Sequence, residues 1–520
     1  MKIKTAGLLT GLALFAVILC LPTPGTFLAS AQQTIGQQSL HLTAPQLAQS
    51  MQAVLAVLGL MIVWWLTEAV PLPATALLPA VLLPLLKVTG SQGKALFEFS
   101  PKNALLNYAN PVIYLFLGGF LIAGAMQKWK LDRRFTLWFL TRGNLADSTG
   151  SVLFGMMTVT ALISMWISNT AAAAMMLPLG IGVLSLVGAR PGESRFGTAL
   201  MLGIAWAASI GGVGTIIGTP PNGIALGILN STFAHDPLYH RITFLDWMKF
   251  GVPYVVLFLP VAWGVLMRMH PPEIRALPGG KARLQEERAA LGPLSAGEKG
   301  SIAVFVLAVT LWVTNPFWPS LLPAALLSRI AWVDEYLIGL LCGTLLFFIP
   351  LDLRRGQFLL DWSDTRFVDW GTLVLFGGGI ALSDAMFKTG LAAWIATSFV
   401  ALLGTPSTVV LTFAVVLLIA MLTEVTSNTA VTTMMVPVVI SIALKTGANP
   451  VTVTVATAMA ASMAFMLPVA TPPNALVFGT GYIRLKDMAL SGLVLDLLGW
   501  LLTVFVVLVV AGRMWGVLGL

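Results

Sequence analysis

Ser168-Asn169-Thr170 and Ser427-Asn428-Thr429 set a hydroxyl, a carboxamide and a second hydroxyl side by side twice in one chain. At identical offsets they are followed by Ala171 and Ala430, Met175-Met176 and Met434-Met435, and Pro178 and Pro437. A second pair keeps the same order, with Thr219-Pro220-Pro221-Asn222 about fifty residues after the first triplet and Thr471-Pro472-Pro473-Asn474 about forty-four after the second. No histidine stands near these motifs: His41, His235, His240 and His270 all fall in loops or at the ends of apolar stretches, and there is no H-E-x-x-H. A nucleophile paired with a base, or a catalytic metal, therefore has no residues to build on, which argues against an enzyme. What remains is a set of hydroxyls, amides, freed backbone N–H groups and helix N-termini, suited to holding an anion through dipoles. The same motifs supply carbonyl and hydroxyl oxygens that suit a hard monovalent cation. Neither motif pair contains Arg or Lys. A dianion buried by dipoles alone lacks sufficient compensation, so co-bound cations are the expected neutralisers and symport of anion and cations follows.

The elements that position these residues must lie in a membrane. Hydrophobic residues make up 57% of the 520-residue chain and charged ones only 10%, and its mean hydropathy is +0.90, far too apolar for a soluble domain. Nine stretches read as ordinary spans: 6–23, 52–70, 72–88, 110–127, 249–267, 301–320, 335–351, 369–387 and 491–512. Four others, 150–187, 197–231, 404–443 and 449–480, are too long or too broken for one helix each, and they hold the motifs. The 150–187 stretch carries no charge and reads as two short helices meeting at Trp166 to Thr170. A Ser-Asn-Thr triplet at such a turn both breaks one helix and caps the next, predicting a re-entrant hairpin there and another at 404–443. A lone triplet would read as polar residues gluing ordinary spans together; the duplication favours hairpins. The paired prolines rule out continuous helices through 197–231 and 449–480, so two helices are predicted to break at mid-membrane, where irregular backbone is tolerated only beside a polar cavity or buried in protein.

A third echo, Leu115-Phe116-Leu117-Gly118-Gly119 against Leu375-Phe376-Gly377-Gly378-Gly379, precedes each triplet by about fifty residues, so a whole architecture is repeated. Five crossings separate the triplets if each hairpin returns to its own side, which makes the repeats inverted. The expected fold is an all-α polytopic membrane protein of about 11 transmembrane helices, two re-entrant hairpins and two broken helices. The division is an N-terminal helix and external loop over 1–50, a first repeat over 51–270, a cytoplasmic linker over 271–300 and a second repeat over 301–520.

The net charge of +8 sits at segment ends and not in a basic patch interleaved with aromatics, which speaks against nucleic acid. Lys2, Lys4, Lys128 to Arg134, Arg190, Arg195, the 268–299 run, Arg354, Arg355, Arg484 and Lys486 share one side if the odd-numbered spans run outward, which makes the N-terminus cytoplasmic. Residues 1–32 also have a basic start and an Ala29-Ser30-Ala31 resembling a signal-peptidase site, but the apolar run is long for a signal sequence. Cys20 and Cys342 read as small buried apolar residues.

The paired triplets, the paired Thr-Pro-Pro-Asn segments and Trp65-Leu66-Thr67-Glu68-Ala69-Val70-Pro71 resemble the divalent anion:sodium symporter family of di- and tricarboxylate transporters across almost the whole chain. The resemblance implies an inner-membrane homodimer with a scaffold domain and a moving transport domain, working by an elevator motion. It implies that Ser168, Asn169, Thr170, Ser427, Asn428 and Thr429, with Thr471, Pro472 and their counterparts Thr219 and Pro220, contact the substrate carboxylates. Two sodium sites are implied at the hairpin tips, with Asn169 and Asn428 serving both ions and substrate, and Ser168 beside them. Ser164 and Thr423 each place a hydroxyl four residues before a triplet and are read as further sodium ligands. Glu424 has no acidic counterpart, since Met165 occupies the matching position, and reads as a carboxylate holding a helix end. Glu68 and Asp384 read as structural or interfacial. Within transport, sodium-independent dicarboxylate exchange and a sulfate-type divalent anion carrier remain open beside sodium-coupled import.

Overall fold

The computed structural model describes residues 2–38, 42–93, 95–142, 145, 148–234, 236, 239–275 and 280–511. His41 and His235 lie outside them. The described chain is almost wholly helical, with two short antiparallel ribbons, Thr89–Gln92 with Ala95–Glu98 and Pro350–Asp352 with Gln357–Phe358. Each ribbon precedes one of the glycine-bearing helices, Pro111–Lys128 or Trp370–Thr389, so the duplication extends into parts of the chain that show no sequence echo.

Eight described helices are long and apolar enough to cross a membrane, or nine if Lys4–Cys20 and Gly25–Gly36, bent by 66°, count as one span. The spans expected at 6–23, 110–127, 249–267, 301–320, 369–387 and 491–512 fall on such helices, while the one expected at 52–70 starts earlier, as Ala44–Thr67. Two expectations are corrected. The 72–88 stretch is two short helices, Leu72–Thr75 and Leu78–Leu85, because Pro73, Pro79 and Pro84 interrupt it. The 335–351 stretch is helical only over Glu335–Leu345 before it turns into the second ribbon. The region expected to be an external loop before residue 50 is largely the helix Gly25–Gln38, whose Phe27 and Ala31 are buried. Two further helices, Leu131–Leu140 and Leu391–Leu403, follow the glycine-bearing helices in the two halves.

Cap residues recur with the duplication. Ser148 and Ser407, each twenty residues before a triplet serine, open Thr149–Ser164 and Thr408–Thr423 by accepting from Ser151 N and Val410 N. Ser194 and Asn449 do the same for Arg195–Gly212 and Pro450–Ala460.

The glycine echo allows close backbone approach. A Cβ on Gly118 would stand 2.1 Å from Gly339 O, and one on Gly378 2.1 Å from Ala76 O. Two residues before each, the matching phenylalanines Phe116 and Phe376 meet edge to face at 4.6 Å, so equivalent residues of the two halves touch each other.

Candidate functional site

Thr149–Ser164 and Asn169–Leu186 meet at the first triplet, and Thr408–Thr423 and Asn428–Thr446 meet at the second. Ser168 is the N-cap of its helix and its hydroxyl accepts from Ala171 N at 3.3 Å. Ser427 holds the same N-cap position without a side-chain cap bond. In the first turn, Ser164 Oγ donates to Ala208 O at 2.7 Å and lies 2.8 Å from the Asn169 carboxamide. As placed, the Asn169 amide oxygen faces Ser164 Oγ, Ala208 O and Gly218 O, all oxygens, and turning the amide over makes its nitrogen a donor to the same three atoms at 2.8, 3.1 and 3.3 Å. In the second turn, Thr423 Oγ1 lies 2.5 Å from Asn428 Oδ1 and 2.9 Å from Ala461 O, and its single proton is donated to one of the two. Ser164 and Thr423 are fully buried. With the Asn169 and Asn428 amide oxygens facing inward, each turn gathers a hydroxyl, a carboxamide oxygen and a main-chain carbonyl from the adjoining broken helix, a donor set that fits a hard monovalent cation.

The broken helices follow one plan. Arg195–Gly212 gives way to irregular backbone that resumes as Pro220–Thr232, and Pro450–Ala460 to backbone that resumes as Pro472–Phe478. The prolines occupy the first helical turn, where an N–H would have no partner in any case. The last residue of each Thr-Pro-Pro-Asn motif staples the break. Asn222 Nδ2 donates to Gly212 O at 3.1 Å and Thr215 O at 2.8 Å. Asn474 Nδ2 donates to Ala464 O at 2.9 Å and Leu467 O at 3.0 Å. The accepting carbonyls stand ten and seven residues before the asparagine in both halves. The sequence motif by itself gives these asparagines no role. Their signal was the duplication itself, but the partners are carbonyls, which no residue type betrays.

The other locks on the two breaks differ. At the first, Trp247 Nε1 donates to Val213 O at 2.9 Å and the Thr215 hydroxyl donates to Met165 O. At the second, Glu424 accepts from Phe465 N at 2.6 Å, Met466 N at 2.9 Å and Leu467 N at 3.0 Å. Glu424 was expected to hold a helix end; it holds instead three amides of the opened backbone between Ala460 and Pro472.

Of the residues expected to touch substrate, Thr170 and Pro472 are exposed, Ser168, Asn169, Pro220, Ser427 and Asn428 are half-buried, and Thr219, Thr429 and Thr471 are buried. Thr471 Oγ1 accepts from Asn474 N at 3.3 Å. The halves interlock: Asn169–Leu186 packs on Pro472–Phe478, and Asn428–Thr446 packs on Pro220–Thr232. Each triplet helix lies against the helix that starts at the other half's Thr-Pro-Pro-Asn. Four helices thus begin at the duplicated motifs, and Gly212, Gly218 and Gly223 line them too closely for a side chain. A Cβ on Gly212 would lie 2.3 Å from Asn169 Oδ1.

Interrupted helices with polar motifs at their ends, set among helices of spanning length, define a membrane transporter. The fold agrees with two solved transporters, the Alcanivorax borkumensis YdaH transporter (TM-score 0.54, 17% identity, 88% of this chain and 99% of that one) and Neisseria gonorrhoeae MtrF, described as illuminating a class of antimetabolite efflux pumps (TM-score 0.52, 14% identity, 88% and 95%). Within that class the chain belongs to the family described as the sodium:sulfate symporter transmembrane region, which matches residues 34–520. It is 37% identical over 466 residues to the sodium-dependent dicarboxylate transporter SdcS of Staphylococcus saprophyticus, spanning 87% of this chain and 85% of that protein. It is 36% identical over 463 residues to the Staphylococcus aureus protein of the same name, with the same coverage.

Proposed function

We propose that this protein imports dicarboxylates of the succinate, malate and fumarate class across a bacterial plasma membrane, driven by sodium. The observation that carries the reading is the oxygen set at each hairpin tip: Ser164, Asn169 and Ala208 O on one side, Thr423, Asn428 and Ala461 O on the other. The names of the staphylococcal relatives support the same substrate and ion. Sodium bound at those oxygens places positive charge beside the triplets, where Ser168, Asn169, Thr170, Ser427, Asn428 and Thr429 offer hydroxyls and amides to a carboxylate. The Pro220 and Pro472 helix N-termini add dipoles of the right sign. Without a fixed cation, the dianion depends on the ions for neutralisation, and this dependence couples the two fluxes.

In this reading the hairpins and broken helices move as one body against the helices that carry Gly118 and Gly378, in an elevator motion, within a homodimer whose N-termini are cytoplasmic. Their interlocked packing, in which each half's hairpin lies on the other half's break, supports a single moving unit. The test is uptake of labelled succinate into proteoliposomes with and without an inward sodium gradient, and with and without internal dicarboxylate. Accumulation that needs sodium and no internal substrate is the expected result. Uptake that needs internal dicarboxylate and ignores sodium would replace import with exchange, and competition by sulfate but not by malate would replace the substrate class.

A further inference from the structure

Away from the duplicated motifs lies a cavity of about 830 Å³, walled by Leu131–Leu140, by Gly280–Ala290 with the turn at 291–294, and by Ala296–Thr314. Its volume is that of a pocket for an organic ligand. Arg134 shapes it: Nε donates to Glu298 at 2.5 Å and Nη1 to Gly292 O at 2.9 Å, which ties the turn down beside the start of the third wall. The lining is mostly apolar. Phe135 and Trp138, stacked at 5.8 Å, line one wall and Ile302 and Val306 another, and all four are exposed. Phe305 lines the cavity as well and meets Trp166 edge to face at 5.2 Å, so the recess backs onto the first triplet turn. Of the eight spanning helices described, Ala296–Leu321 is the least buried, and a helix of that length and hydropathy turns its open face to the bilayer.

The rim at the end of Leu131–Leu140 is cationic. Arg288 lines the cavity and its Nη1 donates to Thr141 Oγ1 at 3.1 Å, while the next residue, Arg142, lies over the Trp138 ring at 4.6 Å. Both arginines are exposed, and neither forms an ion pair among the described residues. The acids at hand are already taken: Glu287 by Arg133 and Arg283, Glu286 by Arg283 and Glu298 by Arg134. Two guanidinium groups held at neighbouring positions with no acid between them leave a place for an anion. An apolar recess open to the bilayer below a cationic rim matches an amphiphile with a negative head. A second copy of the chain fits less well, because docking about a twofold axis through this face would set the same arginines against these.

We propose that this cavity binds one anionic phospholipid of the membrane, its chains against Phe135, Ile302 and Val306 and its phosphate at Arg142 and Arg288. The site goes beyond the transport reading, since it shares no residue with the triplets or the Thr-Pro-Pro-Asn motifs.

Native mass spectrometry of the purified full-length protein tests it without any transport. Phosphatidylglycerol or phosphatidylcholine with the same chains is added, and the wild type should retain one phosphatidylglycerol in preference to phosphatidylcholine. Arg142→Gln combined with Arg288→Gln should cut that preference about thirtyfold, about fivefold for each charge removed. Both side chains are exposed, so the fold is not at stake. Val306→Trp, which fills the recess, should remove the bound lipid. Equal retention of the two lipids by the wild type, a preference that survives in the double variant, or a lipid count unchanged by Val306→Trp overturns the proposal. Release of the lipid by excess inorganic phosphate alone also overturns it, since a site for a bare anion has no need of the recess. Val306→Cys on a background lacking Cys20 and Cys342 should react with a bilayer-soluble maleimide; disulfide linkage between two copies there would make this face a subunit interface instead.

Discussion

At the scale of single residues, the triplets were legible because chance does not repeat a polar motif in order, and Ser164 and Thr423 because both are hydroxyls four residues upstream. Their carbonyl partners, Ala208 and Ala461, were hidden, since alanine says nothing about its backbone oxygen. If the oxygen sets hold sodium, Ser164→Ala and Thr423→Ala should raise the sodium half-saturation of uptake while leaving succinate affinity at saturating sodium little changed. Asn169→Ala and Asn428→Ala should abolish uptake with the proteins still folded. Succinate uptake that is indifferent to either asparagine would remove its tip from the site. The staples predict a different phenotype. Asn222→Asp and Asn474→Asp keep the shape but remove both donors, leaving two carbonyls facing a carboxylate, at a cost of about 1–3 kcal/mol per unsatisfied group. Thermal unfolding in detergent should show a lower Tm for both, and an unchanged Tm would mean the breaks do not depend on them.

Among the elements, the turns at the triplets and the two breaks were readable from proline placement and missing charge, whereas two expected spans were not what composition promised. Hydropathy counts apolar side chains, and 72–88 has them, but its three prolines divide it into short helices. Leu131–Leu140 escaped notice because its Asp132, Arg133 and Arg134 make it too polar to register as a span. The glycines give an element-scale test. Gly212→Ala pushes a methyl to 2.3 Å from Asn169 Oδ1, whereas Gly182→Ala, on the neighbouring helix, meets nothing within 4 Å. The first should raise the sodium half-saturation at least several-fold and the second should leave it alone. Equal behaviour of the two in a sodium titration of uptake would show that the first break does not abut the ion.

The whole molecule is two copies of one plan fitted into each other, with Phe116 against Phe376 where equivalent residues meet. Duplication was legible in the chain, and so was the transporter class, but the interlocking was not, because spacing along a sequence does not say which half a helix will lie against. Two measurements belong at this scale. If sodium neutralises the dianion, succinate affinity should rise with sodium and sodium affinity with succinate by the same factor, since linkage is reciprocal for binding. Titrations in sodium and in choline would expose any inequality, and equally tight binding in choline would rule the coupling out. For orientation, single cysteines on a background lacking Cys20 and Cys342 should react with impermeant reagents from outside near Gln32 and Gln49, and only after lysis between Arg275 and Lys299. The reverse pattern would invert the protein in the membrane.

The two breaks are locked with opposite polarity. At the first, an indole and a hydroxyl donate hydrogen bonds to carbonyls; at the second, a carboxylate accepts them from amides. Duplicated copies that began alike have thus diverged into a neutral site and an electrically charged one. If the oxygen sets hold sodium, the two ions would not be interchangeable: one beside Thr423 would sit near a carboxylate that one beside Ser164 would lack. A direct sodium isotherm should therefore resolve two steps of unequal affinity, with Glu424→Gln weakening the tighter step and sparing the other. A single symmetric step, unmoved by that substitution, would mean that the divergence of the copies never reached the ions.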